Sequence, residues 1–496
     1  MIWRFIQLIL VVCVVLVAVL VGRTLLLSTS SQSKLVKLPD APEMSVGTAV
    51  AHLSEAIRFK TTMTEKGFPE TTGEKPWLDF HNWLATTYPK SHEAMTREVV
   101  PGTQTLLYTW TGSDTSLPPI LLMAHQDVVP VNQGTEADWK APPFEGKVID
   151  GYLYGRGAID DKGSLISWME VTEALANNNF KPKRTIIFLF GHDEEVGGKG
   201  AEAGIKLLKS RGIKPEMALD EGSFIIDKFP LTGKPMALIG ISEKSYLTVE
   251  LTASSKGGHS SIPPRNSAAV KISGAVLALD NNQLTASLLE RPISDMINIS
   301  RPEMPFVQRI LFSNLWLFEG LVQQQMAKSA AANALIRTTT APTMLSGSSK
   351  ENVLAQRAKA VINFRIHPKD SIETILAHIK KVTSHIPGLE IKVISKGTEE
   401  GKRPPVSPLS TKAYQVLAAV GSEAGGNISS APMLVLGATD GRYATKITDN
   451  VYRFVPIVLN SEDIDGFHGT NERISLENMK RKLKAYAQII LAMDEK

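Results

Sequence analysis

Five stretches of the sequence place histidine or carboxylate side chains beside an apolar run or in a glycine-flanked loop. Imidazole and carboxylate groups together form a nitrogen and oxygen ligand set that suits zinc, with cobalt or manganese as alternatives. The only cysteine, Cys13, lies in the N-terminal apolar run, so thiolate ligands, a cysteine nucleophile and intrachain disulfides are excluded. The stretches are LLMAHQDVV with His125 and Asp127, GRGAIDDKG with Asp160 and Asp161, FLFGHDEEVGGKG with Glu194 and Glu195, MALDEG with Asp220 and Glu221, and GFHGTNERI with His468.

Each stretch also has a simpler interpretation when it is taken alone. An HxD triplet arises often by chance, and Asp160 or Asp161 would serve equally well as a helix cap. The paired acids and the loop histidine would be unremarkable if solvent covered them. The combination is more specific, because ligands bind outside the carboxyl ends of the strands in open α/β sheets. Asp127 follows His125 by two residues in an extended segment, which puts it on the same side and lets it orient the imidazole.

Charge balance favours two metal ions. The carboxylates of Asp160, Glu195 and Asp220 together with a bridging hydroxide neutralise two divalent cations. A neutral cluster is the arrangement that a partly buried site favours.

The elements that would position these residues follow an α/β pattern. Residues 120–124 and 184–190 are continuous apolar runs that predict buried strands, and residues 216–219 predict a short one. Residues 162–175 and 201–211 predict helices between them. Strands that alternate with helices indicate an α/β fold with a mostly parallel central sheet and helices on both faces.

A second domain interrupts this pattern. Residues 246–253 and 358–366 alternate as half-exposed strands do, which is typical of an antiparallel sheet in an α+β domain. The α/β pattern returns after the KRPP sequence at 402–405. We therefore expect an inserted domain at 241–400 between two parts of a catalytic domain, 45–240 and 401–496.

The N-terminus contains a long apolar run. Residues 5–22 are almost entirely Ile, Leu, Val and Ala, with Arg4 before them and Arg23 after them. The run is about long enough to cross ~30 Å of hydrocarbon, so residues 1–27 predict an uncleaved membrane anchor followed by a linker at 28–44. A cleaved signal peptide, which would make the chain a secreted protein, is the alternative. The net charge of +4 is too small to indicate nucleic-acid binding.

The order of HxD, GRGxxDxKG, DEE, LDEG and a late histidine resembles the two-zinc peptidases of peptidase family 20. The resemblance runs from about Ser45 to the C-terminus and is strongest to the branch of carboxypeptidase S and the N-fatty-acyl-amino-acid synthase/hydrolases, which work outside the cytosol. It implies a zinc-exopeptidase-like fold and a cis peptide between Asp160 and Asp161. The implied roles are Asp160 as bridging ligand, His125 and Asp220 at one zinc, Glu195 and His468 at the other, Asp127 as the partner of His125, and Glu194 as general base.

The same resemblance implies that the inserted domain is a lid and a dimerisation domain. His259 in SSKGGHSSIPP would reach the active site of the partner subunit and stabilise the oxyanion. Asn352 and Arg365 would contact substrate, and Arg442 in GATDGRY would bind its carboxylate. From the residues alone, His259 could cap a turn and Arg365 could face solvent. Residues 280–350 exceed what a minimal lid needs, and an acyl pocket, a membrane contact and a dimer surface all remain open for them.

The resemblance implies a two-zinc hydrolase that cleaves an amide bond beside a free carboxylate, in a small peptide or an N-acyl amino acid. A long-chain N-fatty-acyl amino acid hydrolase that also runs as a synthase is the alternative within enzymes. A membrane-anchored binding protein on an inactive scaffold is the alternative of another class.

Overall fold

The computed structural model describes residues 2–27, 36–64, 67–397 and 402–495. Residues 28–35 of the predicted linker and the predicted boundary at 400–401 therefore lie outside the described residues. The α-helices are α1 (Ile2–Leu27), α2 (Val46–Arg58), α3 (Lys75–Thr87), α4 (Pro89–Ala94), α5 (Lys162–Asn177), α6 (Lys199–Ser210), α7 (Ala268–Asn281), α8 (Ile293–Ser300), α9 (Phe306–Ser313), α10 (Leu315–Met326), α11 (Ala330–Ile336), α12 (Ile372–Val382), α13 (Lys412–Ala424), α14 (Gly441–Ala444), α15 (Ser461–Asp465) and α16 (Leu476–Asp494).

The β-strands are distributed over the whole chain after the first four helices. They are β1 (Thr96–Val99), β2 (Leu106–Trp110), β3 (Ile120–His125), β4 (Lys147–Ile149), β5 (Tyr152–Tyr154), β6 (Ile186–Gly191), β7 (Met217–Asp220), β8 (Ile225–Ile226), β9 (Met236–Glu243), β10 (Ser245–Ser254), β11 (Gly258–His259), β12 (Thr339–Ser346), β13 (Val353–Leu354), β14 (Arg357–Ile366), β15 (Leu389–Lys396), β16 (Ser430–Val435), β17 (Val451–Arg453), β18 (Val458–Leu459) and β19 (Arg473–Ser475).

The central sheet confirms the predicted α/β class. Its strands run in the order β1-β2-β6-β3-β7-β17-β9-β8-β18, and β16 also pairs with β9. The middle of the sheet is parallel, since β3 pairs in parallel with β6 and β7, and β7 pairs in parallel with β17. β1, β2 and β6 extend one side in antiparallel pairs.

Both faces of this sheet are covered, which explains why β3 reads as an unbroken apolar run. Ile120 and Leu122 point into the core formed with α2, α5, α13 and α16. Leu121 and Met123 point to the opposite face, into a smaller core with α6 and α14. Successive strand residues alternate between faces, so a strand buried on both sides needs an apolar residue at every position.

A separate antiparallel sheet is formed by the inserted segment. Its order is β12-β14-β10-β15, and its core is closed by α7 and α12. β10 alternates between fully and partly buried residues along its whole length, because only one face is packed against helices.

The helices between α7 and β12 do not extend the core of this antiparallel sheet. Residues from α8, α9, α10 and α11 share a third core with β9 and β16 of the central sheet. The long stretch that the sequence places in the inserted domain therefore packs at the edge of the central sheet.

The N-terminal helix projects from the protein. α1 is long and apolar enough for a signal anchor or a membrane span. Its side chains are exposed from Ile2 to Val19, whereas Thr24 near its end is buried against the rest of the chain. Such an exposed apolar surface is uncommon on a soluble domain.

Candidate metal centre

The candidate site lies where parallel strands of the central sheet end. His125 is the last residue of β3, Glu194 and Glu195 begin a short 3₁₀ turn after β6, and Glu221 follows β7 directly. Because these strands are parallel neighbours, their carboxyl ends meet at one edge of the sheet. The loop that precedes α5 brings Asp160 to the same edge, across a cis peptide bond to Asp161 that matches the expectation from the resemblance.

Asp160 joins two groups of potential ligands. His125, Asp160 and Glu221 form one group and Asp160, Glu195 and His468 the other; within each group the ligand atoms lie within 4.8 Å of one another. One carboxylate oxygen of Asp160 lies 2.9 Å from His125 Nε2, and the other lies 3.1 Å from His468 Nε2. A carboxylate that offers one oxygen to each group is suited to bridging two cations.

The first group contains Glu221, whereas the resemblance had implied Asp220 at this position. Asp220 is the last residue of β7, and its carboxylate turns away to accept a hydrogen bond from the Gly441 backbone N–H at 2.5 Å. Successive side chains of an extended segment point in opposite directions, so the next residue, Glu221, faces Asp160. The structure thus brings Glu221, and not the predicted Asp220, into the first group of potential ligands.

Asp127 links the strand that carries His125 to the loop that carries the two glutamates. His125 Nδ1 donates to the main-chain carbonyl of Asp127 at 2.9 Å and lies 3.4 Å from Oδ1 of its side chain. The carboxylate of Asp127 accepts the backbone N–H groups of Glu194 and Glu195, each at 3.1 Å. Asp127 thus fixes the imidazole mainly through its backbone and the glutamate turn through its side chain.

Glu194 lies beside the two ligand groups without belonging to either. Its side chain is 11% exposed, and its carboxylate lies 3.7 Å from Arg442 Nη1. Burial raises the pKa of Glu194 well above its usual value, and the neighbouring carboxylate of Asp440 raises it further. A carboxyl group in this position can hold a proton and release it, as a general base must.

The crowding of acids indicates that the site is built for cations. Burial and then the nearby Asp160 raise the pKa of Glu221, and burial also raises that of Glu195. For Asp160 itself, hydrogen bonds from His125 and His468 outweigh the effect of burial and lower its pKa well below the usual range. Oε1 of Glu195 is buried and has no hydrogen-bond partner among the described residues. An inward carboxylate oxygen with no partner fits a metal ligand.

Two further buried acids were missed by sequence reasoning, and Asp440 is the first. Both of its oxygens lack a hydrogen-bond partner within the described ranges, and the residue is 3% exposed. A Cβ at Gly198 would lie 1.8 Å from Oδ1 of Asp440, so only glycine allows this carboxylate to approach the glutamate loop. The motif GATDGRY contains Asp440, but only Arg442 had been assigned a role from it.

Glu472 is the second acid that was missed, and it holds the loop that presents Asp160. Its fully buried carboxylate accepts the guanidinium of Arg156 at 2.8 Å and the backbone N–H groups of Gly157, Ile159 and Asp160 at 2.8–3.1 Å. Glu472 lies four residues after His468, so it ties the late-histidine loop to the Asp160 loop. In the sequence Glu472 is the glutamate of GTNER, which looks like an ordinary polar loop residue, so nothing there indicates its role.

Replacing Glu472 by Gln should destabilise the protein and loosen the metal centre. The amide would turn an N–H group toward donors and leave Arg156 unpaired in the interior, which typically costs about 3–5 kcal/mol. Denaturant unfolding measures the free energy, and zinc titration measures metal affinity. Glu462→Gln is the matched control, because Glu462 pairs with Arg473 while 80% exposed and should change stability by less than about 1 kcal/mol. A Glu472→Gln variant as stable as the control would contradict this role.

Arg442 lies next to the centre and is held rigidly. Its guanidinium donates to the carbonyls of Thr439 and Gly197 at 2.6 and 3.0 Å, and it stacks over the ring of Tyr443 at 4.5 Å. These contacts fix the plane of the guanidinium near Glu194. An arginine held in this way can bind a carboxylate in bidentate geometry.

The structure does not bring the three residues of the inserted domain to the ligand groups. His259 is exposed and pairs through Nδ1 with the hydroxyl of Ser261 at 2.8 Å. Arg365 is exposed on β14, opposite Tyr246 and Thr339. Asn352 is exposed as well. Their participation would require a movement of the inserted domain or a second subunit, and it remains a prediction.

Comparison with known proteins fixes the family. The family model described as peptidase family M20/M25/M40 matches residues 121–492, which is most of the chain. The chain belongs to peptidase family M20. It is 37% identical to a probable carboxypeptidase S-like protein of Dictyostelium discoideum, over 88% of this chain and 83% of that protein. It is 34% identical to an N-fatty-acyl-amino acid synthase/hydrolase of Xenopus tropicalis, over 97% and 93% of the two chains.

Solved structures show the same M20 fold. An M20 metallo-carboxypeptidase of Sulfolobus solfataricus superposes with a TM-score of 0.63 at 18% identity, covering 90% of this chain and 99% of the other. Human carnosine dipeptidase 1 gives a TM-score of 0.61 at 16% identity, covering 90% and 96%. This M20 protein is a metallopeptidase-type hydrolase that acts on peptides or N-acyl amino acids, and its two ligand groups are candidates to hold the metal.

Proposed function

We propose that the protein hydrolyses the amide bond of a peptide or N-acyl amino acid that carries a free carboxylate, with two zinc ions as cofactor. Cobalt and manganese would satisfy the same ligands. One observation carries the proposal: Asp160 turns one oxygen to each of two histidine-containing groups, with Glu194 free beside them. His125 and Glu221 would hold one metal, and Glu195 and His468 the other.

Glu194 is proposed as general base. Metal ions in such a site lower the pKa of water toward ~7. Glu194 would take the proton of the attacking water and later deliver it to the leaving nitrogen. The short 3₁₀ turn held by Asp127 fixes Glu194 beside the ligands, and Arg442 at 3.7 Å limits how far its carboxylate moves.

Arg442 is proposed to bind the substrate carboxylate. Its side chain is 17% exposed, so part of the guanidinium remains accessible beside Glu194. Arg365 and Asn352 would add contacts when the inserted domain closes on the substrate. His259 of the partner subunit would stabilise the oxyanion.

A homodimer through the inserted domain is proposed from its sheet. β12 is an edge strand, and its outer residues are exposed, with Met344 at 65% and Leu345 at 67%. An exposed edge with apolar side chains is a surface that pairs readily with another strand.

The protein is proposed to be held in a membrane by α1, with the catalytic part outside the cytoplasm. The 26 residues of α1 span about 39 Å, enough to cross a bilayer with some tilt. A relative named N-fatty-acyl-amino acid synthase/hydrolase aligns over 97% of this chain, so the alignment includes at least part of α1. The segment would be cleaved if it acts as a signal peptide.

A long-chain N-acyl amino acid is the second candidate substrate, favoured by the name of the Xenopus tropicalis relative.

The test compares hydrolysis of N-oleoyl-phenylalanine, benzyloxycarbonyl-glycyl-phenylalanine and their C-terminal amides by the zinc-loaded full chain. We expect hydrolysis of at least one free acid and at least about a tenfold lower kcat/KM for its amide, because Arg442 then loses a charged partner. The preferred free acid identifies the acyl class. Hydrolysis of neither acid, or equal rates on acids and amides, would contradict the proposed function.

A further inference from the structure

The end of α1 is fastened by polar contacts to Ser313, the last residue of α9, and to Asn314 between α9 and α10. Arg23 Nε donates to the carbonyl of Ser313 at 3.0 Å. The side-chain amide of Asn314 donates to the carbonyl of Leu20 at 3.2 Å and to the hydroxyl of Thr24 at 3.3 Å. Thr24 is 1% exposed, so this junction is packed as well as hydrogen-bonded. These contacts fix the level along α1 at which α9 and the start of α10 lie.

This junction lies where a bilayer surface would cross α1. Twenty residues of helix at 1.5 Å each span about 30 Å, the thickness of a hydrocarbon core. Counted from Ile2, that length ends at Val21, beside Leu20 and Arg23, which bond to Asn314 and Ser313. Residues 2–19 are exposed, whereas residues 20–22 are half-buried and Thr24 is buried; Arg23 and residues 25–27 are exposed again.

The neighbouring helices α9 and α10 also expose apolar side chains. Among the described residues outside α1, seventeen large apolar side chains are exposed, and five of them lie between 306 and 321. These five define what we call the α9–α10 face: Phe306 (47%), Val307 (69%), Trp316 (58%), Leu317 (46%) and Leu321 (57%). This density of exposed apolar surface marks an interaction site.

The residue types on the face suit a lipid headgroup layer. Trp316 Nε1 donates to the Asn314 oxygen at 3.4 Å, so the exposed indole lies beside the junction with α1. Tryptophan favours the boundary between headgroups and hydrocarbon. Arg309 lies 5.6 Å from the ring of Phe306, and arginine at such a boundary reaches phosphate groups with its charged end.

We propose that the α9–α10 face docks into the headgroup layer of the bilayer beside α1, so that the catalytic part is held on the membrane surface at two points. The inference rests on the proposed membrane anchoring by α1. A lipid surface is favoured over a second copy of this chain because the face is continuous with the most apolar helix of the molecule. The core that α8 to α11 share with β9 and β16 would then hold α9 and α10 in position on the central sheet.

The single cysteine makes the test direct. The full chain is labelled with an environment-sensitive NBD fluorophore in phosphatidylcholine vesicles, either at native Cys13 or, with Cys13→Ser, at Trp316→Cys, Leu321→Cys or Leu78→Cys. Leu78 is the matched control, because it is 47% exposed on α3 of the catalytic part. Vesicles with doxyl-labelled acyl chains report contact with lipid.

We expect blue-shifted emission and a loss of at least about a third of the fluorescence at 316 and 321, with less than about a tenth lost at 78. Strong quenching at Cys13 with none at 316 and 321 would overturn the docking proposal and leave the anchor intact. A blue shift at 316 without lipid quenching would indicate coverage by a second copy and would also overturn it. The absence of quenching at Cys13 would reject the anchor itself.

Discussion

Replacing Glu194 by Gln should lower kcat by at least about 10²-fold while the metal content stays unchanged. Glu194 belongs to neither group of ligand atoms, so its loss removes no metal contact. Glutamine is nearly isosteric and keeps the backbone N–H that donates to Asp127. It cannot accept a proton at neutral pH, so the chemical step should fail while the site remains assembled.

Two measurements separate this role from a structural one. Metal analysis of the purified variant should match the wild type, and KM should change by less than about threefold, because substrate binding rests on other residues. Glu202→Gln is the control: Glu202 lies on α6 and pairs with Lys446 at 3.0 Å, with a side chain 29% exposed. It should retain nearly full activity. A Glu194→Gln enzyme with more than about a tenth of the wild-type kcat would reject the role of general base.

The parts of the fold that sequence predicted well are those in which a local pattern is sufficient. Residues 120–124 were predicted as a strand and form Ile120–His125, because burial on both faces demands an unbroken apolar run. Residues 162–175 were predicted as a helix, and the helix is Lys162–Asn177. Boundaries differ by one or two residues, as expected where helix and strand ends are set by tertiary contacts.

The parts that sequence missed depend on long-range contacts. Asp440 and Glu472 are buried acids whose partners are far away in the chain: Asp440 faces the glutamate loop at 191–198, and Glu472 faces the loop at 156–160. Nothing in their local sequence distinguishes them from solvated loop acids. The insertion at 280–350 likewise carries no local sign that its helices would pack on β9 and β16.

The structure groups Glu221, and not the predicted Asp220, with the other potential ligands, and the reason why sequence did not indicate this is a different one. MALDEG was correctly predicted as a strand end that carries an acid. Adjacent residues of a strand point to opposite sides, so a shift of one residue changes which acid points to the centre. That direction is fixed by the pairing of β7 with β3 and β17 and by the backbone N–H of Gly441, which captures Asp220. A resemblance that matches motif order does not resolve a shift of one residue inside a motif.

The difference between these two acids can be measured as metal content. Glu221→Gln should lower the affinity of one metal site by more than about 10²-fold, because a charged ligand becomes a neutral amide in a group of three. After dialysis the variant should retain about one zinc per chain where the wild type retains about two. Its kcat should fall strongly as well, since Asp160 would then have a cation at only one of its oxygens.

Asp220→Asn is the matched control for this loss. An asparagine oxygen can still accept the Gly441 N–H, so the turn that aims Glu221 is preserved and zinc affinity should fall by about 100-fold at most. Measured after the same dialysis, it should therefore retain more zinc than Glu221→Gln. If Asp220→Asn lost a metal ion and Glu221→Gln kept both, Asp220 would be the ligand and the orientation of the strand end would be wrong. If both variants kept two ions, the first group would not be a metal site, because removing either acid would leave its occupancy unchanged.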